Sequence, residues 1–162
     1  MFFSAAVPAI PDAARVHADS WRESGRGEMR WFGLKLYDAE LWVSGPAYQS
    51  DKPFALQLTY SRDFAGQRLA ARSIDEMQRL GRFDETQASR WQKQLERAFP
   101  DVKSGEQITG VYLPGRGAVF YHQGRLTAEL NDAELARRFF SIWLDPATRE
   151  PVLRERLLGV RQ

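Results

Sequence analysis

Arg30 and Tyr37 lie on one stretch of extended-looking chain, and together they have the chemistry to hold an anion. Arg30 shares parity with Phe32, Leu34 and Leu36, whereas Tyr37 falls in step with Ala39, Leu41 and Val43. Side chains on a strand change face at every residue, so this switch predicts a bulge or bend near Leu36 and Tyr37 that turns both polar groups onto one inward face. A guanidinium aimed at an apolar face carries a heavy desolvation cost unless something compensates it. An ion pair with Asp38 or Glu40 would do so, as would snorkelling of the head group to water. A bound carboxylate, with the Tyr37 hydroxyl donating a second hydrogen bond, is the third arrangement.

Other polar residues group around this pair. Arg62 follows Tyr60 at the end of an alternating run, and is placed either in solvent or at the mouth of a pocket. Arg68, Arg72 and Asp75 fall on one side of a helical segment, as a solvated face or as a charged lid over a cleft. Tyr60 belongs to the apolar side of its strand. His17 and His122 have no acid at a ligating spacing and no Ser or Asp at a triad spacing, so neither a metal site nor a hydrolytic triad is expected. Cysteine is absent, which removes thiolate ligands and thiol nucleophiles. Gly25-Arg26-Gly27 resembles the start of a dinucleotide loop but lacks the third glycine, and residues 114–117 (PGRG) lack the Lys-Ser/Thr of a phosphate loop. No cofactor is expected. With 23 basic and 21 acidic residues the net charge is only +2, which gives nucleic acid no strong electrostatic purchase.

The elements that must position these residues are legible from periodicity. The 162-residue length suits one domain, with 43% hydrophobic residues and ten Phe to fill a core. Residues 28–44 read as one long strand, and 54–62 as a half-buried strand with Phe54, Leu56, Leu58 and Tyr60 on one face. Residues 65–80 form a helix with Leu69, Ile74, Met77 and Leu80 on its apolar side and an Asp75–Arg79 pair on its polar one. A second helix starts at the N-cap Asp84 and ends before Pro100. Three short strands at 107–113, 118–122 and 126–130 make a meander. Asn131 with Glu134 caps a helix carrying Leu135, Phe139, Phe140 and Trp143, and 148–158 forms the last helix. The order β-β-α-α-β-β-β-α-α argues an α+β fold with helices on one sheet face. Residues 1–22 are read as a leader, partly disordered or the remnant of an export signal whose apolar part is 1–10, and 23–162 as the folded domain. No apolar run reaches bilayer length, so the expectation is a soluble protein, periplasmic or cytoplasmic. The sequence does not set the oligomeric state.

The segments RWFGLKLYDAELWV (30–43), LTYSRDFAGQRLAARSIDEM (58–77), WQKQLERAFPDVKSGEQITGVYLPG (91–115) and FFSIWLDP (139–146) resemble bacterial members of the chalcone isomerase-like family. The resemblance spans roughly residues 23–160. It implies an open-faced β-sandwich: a large antiparallel sheet, a helical layer, and an apolar cleft between them. Plant isomerases of the family use an Arg on the first core strand, a Thr further along it, and a Tyr and an Asn seven apart on the first long helix. Arg30 matches the Arg, but Tyr37 stands at the Thr position, Arg68 where Tyr is expected and Asp75 where Asn is expected. Fatty-acid-binding members hold a carboxylate with an Arg and a Tyr on the strand, a pair that Arg30 and Tyr37 reproduce. The resemblance therefore implies binding of a small apolar or carboxylate-bearing ligand at Arg30 and Tyr37, to which strand and helix placement adds Tyr60, Arg62, Arg68, Arg72 and Asp75 as candidate ligand-binding residues. The alternative is an isomerase of the intramolecular lyase type, with Arg30 stabilising developing charge and Tyr37 ordering water.

Overall fold

The computed structural model describes residues 10–160. Most of the apolar segment read as a leader, residues 1–9, lies outside the described residues. Six strands form one antiparallel meander in sequence order: β1 (Arg22–Trp31), β2 (Leu34–Val43), β3 (Phe54–Tyr60), β4 (Gln107–Leu113), β5 (Gly117–His122) and β6 (Arg125–Leu130). Among the described residues four α-helices, α1 (Gly66–Leu80), α2 (Glu85–Ala98), α3 (Ala133–Leu144) and α4 (Pro151–Leu157), complete the α+β fold. Among the described residues no helix is long and apolar enough to cross a membrane.

The main core lies between the sheet and the helices. Phe54, Leu56, Leu58 and Tyr60 face it from β3, as their alternation requires, against Met77 of α1, Leu95 of α2 and Phe140 of α3. Helix α2 starts where Asp84 accepts a hydrogen bond from the Gln87 amide at 2.8 Å. Helix α3 is capped by Asp132, which accepts from the Leu135 amide at 3.0 Å, one residue later than the Asn131 cap expected. The same Asp132 accepts from the Trp91 indole at 2.9 Å and so ties α3 to α2. The outer face of the sheet carries a smaller cluster, in which Ile10 and Ala14 pack on Ala55, Val111 and Val119. These two residues come from the stretch read as leader, and a 3-10 turn at Asp12–His17 presents Ala14 to the sheet.

The single strand expected over 28–44 is two strands. Phe32 and Gly33, with φ of +49° and +77°, form a two-residue turn that pairs Trp31 with Leu34. Two consecutive positive φ values give the reversal that suits right-twisted strands. The bulge predicted near Leu36 and Tyr37 is present: Met29 pairs with Tyr37 and Arg30 with Lys35, leaving Leu36 as the extra residue. On the odd-numbered side of β1, Gly25 and Gly27 admit α4. A Cβ on Gly25 would sit 1.9 Å from the Arg156 carbonyl oxygen, and one on Gly27 would sit 2.7 Å from Leu153 Cδ1. The Gly-Arg-Gly stretch thus serves close strand–helix packing, with no phosphate loop formed.

Candidate functional site

A cavity of about 720 Å³ opens between the sheet and α1, α3 and the α3–α4 connection. That volume lies within the range of small-molecule pockets. Its strand wall comes from Met29, Trp31, Leu36, Tyr37, Leu58 and Tyr60. The bulge matters here: with Leu36 as the unpaired extra residue, Leu36 and Tyr37 both line the cavity although they are adjacent. The deeper end is aromatic and aliphatic, with Ile108, Phe120, Phe139 and Phe140. Gly110 of β4 leaves room there, since a Cβ would come within 2.9 Å of Phe120 Cε1 and 3.1 Å of Phe140 Cζ.

Two phenols sit in this apolar space. The Tyr37 hydroxyl accepts a hydrogen bond from the Trp143 indole N–H at 2.9 Å. Burial pushes its pKa up to about 12, and the charges of Glu150 and Glu76 act in the same direction. Tyr60 lies edge-on to Tyr37 with ring centres 5.9 Å apart, and burial raises its pKa as well. Among the described residues no group accepts the proton of either hydroxyl. Both phenols therefore stay protonated near neutral pH and face the cavity as hydrogen-bond donors; neither is suited to act as a base.

The helical side of the mouth is cationic. Arg68, Leu69, Arg72, Ser73 and Glu76 of α1 line it, together with Arg149 and Glu150. The spacing i, i+4, i+8 of Arg68, Arg72 and Glu76 puts all three along one side of the helix. Glu76 is buried and binds Arg72 at 3.2 Å, Arg79 at 3.3 Å and Arg149 at 3.0 Å. One carboxylate among three guanidiniums leaves the rim with excess positive charge, and each guanidinium keeps further N–H donors. Arg68 is exposed, with no ion-pair partner among the described residues.

The structure brings together Tyr37, Tyr60, Arg68 and Arg72 and leaves three expected residues outside. Arg30 does not converge with Tyr37. Its side chain, 54% exposed, pairs with Glu28 at 2.7 Å, and its Nη1 donates to the Gly33 carbonyl at 3.0 Å. The turn at Phe32 and Gly33 is the cause: it reverses the chain, so the parity that linked Arg30 to Leu34 and Leu36 does not carry across it. Met29 and Trp31 face the cavity instead, and Arg30 braces the turn from the opposite face. Arg62 and Asp75 are exposed and do not line the cavity. The expected Asp75–Arg79 pair is replaced by Glu76–Arg79. Trp143, Glu76 and Arg149 were not foreseen as site residues. Only the flanking of Glu76 by Arg72 and Arg79 on adjacent turns offered a signal in the sequence. Both histidines lie away from the cavity, His17 on Tyr121 at 2.9 Å and His122 on Glu106 at 2.9 Å.

Comparison with known proteins agrees with this architecture. An uncharacterized protein of Haemophilus influenzae is 26% identical over 140 residues, which span 86% of this chain and 68% of that protein. The crystal structure of a fatty-acid-binding protein of Arabidopsis thaliana superposes with a TM-score of 0.66 at 12% identity, covering 88% of this chain and 89% of that one. At that identity the likeness establishes the fold. The profile described as chalcone isomerase-like matches residues 5–159, and this chain belongs to the chalcone isomerase-like family.

Proposed function

We propose that the cavity binds a small apolar acid, a fatty acid or a molecule of similar shape, without transforming it. The observation that carries this reading is that half-buried Tyr37 and buried Tyr60 both line the cavity and, among the described residues, neither hydroxyl donates to an acceptor. Each hydroxyl keeps a proton free to donate to whatever occupies the cavity. A carboxylate that reaches Tyr37 supplies the acceptor. Arg72 already acts on the Tyr37 phenol electrostatically, and Arg68, without an ion-pair partner among the described residues, adds a cation at the mouth. The hydrocarbon tail extends toward Phe120, Phe139 and Phe140, each buried methylene contributing roughly 0.8 kcal/mol. The fold shared with a fatty-acid-binding protein of Arabidopsis thaliana supports the same reading. Titration with a fluorescent fatty acid tests it. Saturable binding that unlabelled fatty acid displaces, and that Tyr60→Phe weakens, is expected. Absence of saturable binding contradicts it.

A further inference from the structure

We infer that the β1–β2 hairpin tip docks this protein on an anionic lipid bilayer, so that the cavity opens at the membrane surface. The tip is unusually apolar for a turn. Trp31, Phe32 and Leu34 are 60%, 91% and 40% exposed, interrupted only by Gly33, with Phe32 edge-on to Trp31 at 4.9 Å. Phe32 occupies a left-handed conformation, φ +49°, at a turn position that favours Asn or Asp. A bulky residue held there in full exposure opposes both local backbone preference and solubility. Such a conflict points to a role outside the fold.

The tip's position identifies the occupant. Trp31 belongs to the tip and to the cavity wall at once, so the apolar edge runs unbroken from the exposed turn into the pocket. Across the mouth stand Arg68, with no ion-pair partner among the described residues, and Arg72, which shares Glu76 with two other arginines. An aromatic lip facing a cationic lip complements a bilayer interface, where indole rings settle at headgroup depth and anionic headgroups attract arginine. An apolar acid leaving the bilayer would pass between these lips. The inference rests on the proposed ligand reading only for what passes, and the docking itself is measured separately.

The full chain is sedimented with vesicles of equal parts phosphatidylcholine and phosphatidylglycerol, and with phosphatidylcholine alone, and tryptophan emission is followed. The expected result is partitioning with a blue shift on the anionic vesicles and weaker binding on the neutral ones. Phe32→Asn suits the turn and does not touch the cavity. It is expected to reduce partitioning at least tenfold while leaving affinity for a fluorescent fatty acid in solution unchanged. Wild-type protein that stays in the supernatant, or a Phe32→Asn variant that partitions equally, overturns the inference. A concentration-dependent dimer abolished by Phe32→Asn also overturns it, by assigning the tip to a second copy of the chain. Partitioning without any fatty-acid binding upholds the docking and contradicts the cavity reading instead.

Discussion

The Trp143 indole donates to the Tyr37 hydroxyl at 2.9 Å, and this bond from α3 to β2 fixes the direction of the phenol's own proton. Because the oxygen already accepts, the hydroxyl is left to donate into the cavity. Tyr37→Phe removes that donor and strands the Trp143 N–H, so a stability loss of about 1–3 kcal/mol accompanies weaker ligand binding. Tyr60 leaves no such partner behind. Tyr60→Phe is expected to keep stability within about 0.5 kcal/mol and to weaken fatty-acid binding by roughly three- to tenfold. Urea unfolding and fluorescence titration of both variants separate the two effects.

Arg30 lies outside the cavity, paired with Glu28, whereas Arg68 lines its mouth. Arg30→Ala removes a brace on the Gly33 carbonyl and is expected to leave ligand affinity unchanged. Arg68→Ala is expected to weaken affinity by about fivefold, the ~1 kcal/mol scale of an exposed ion pair, with less effect at high salt. Titrations of the two variants at two salt concentrations check the assignment.

The misplaced arginine shows what the sequence could and could not reveal. Alternation located β3 and its inward face, the Asp84 cap started α2, and the parity switch located the bulge at Leu36. These are local signals, each set by one strand or one helical turn. Phe32-Gly33 hid the hairpin because Phe has the composition of a strand, and positive φ leaves no trace in an apolar residue. Every parity inference across that turn failed with it, Arg30 first. In the Arg72–Glu76–Arg149 junction, Glu76 binds a residue 73 positions further along the chain. Such a contact depends on how helices pack and has no periodicity to expose it.

Alkaline pH reports on the two cavity phenols. Tyr37 titrates at about 12 in the folded chain against an ordinary value of 10.0, so the folded state holds its proton more tightly than the unfolded chain does. Stability from this group is intact below pH 10 and is lost as pH rises through about 12, by on the order of 3 kcal/mol. Tyr60 adds to the loss in the same direction. Tyrosinate absorbance should continue to rise above pH 10, its last part coincident with loss of near-UV circular dichroism. A single early titration of all the tyrosines contradicts the burial.

The Phe32 turn carries a stability cost that substitution exposes. Asn tolerates the left-handed conformation, and Asn-Gly is the favoured pair for this turn. Phe32→Asn is therefore expected to stabilise the fold by about 1 kcal/mol, read as a higher urea midpoint with an unchanged slope. An equal or lower midpoint contradicts the turn assignment.

Occupancy of the cavity by a ligand is tested most directly by native mass spectrometry of the purified chain. The variant for comparison is Gly110→Leu, whose side chain would occupy the space that Phe120 and Phe140 now border. Wild-type protein is expected to carry one equivalent of an apolar acid, either retained through purification or taken up from added fatty acid. Folded Gly110→Leu, verified by circular dichroism, is expected to carry none. Wild-type protein that stays empty under saturating fatty acid, or a plugged variant that binds as much, contradicts the central claim.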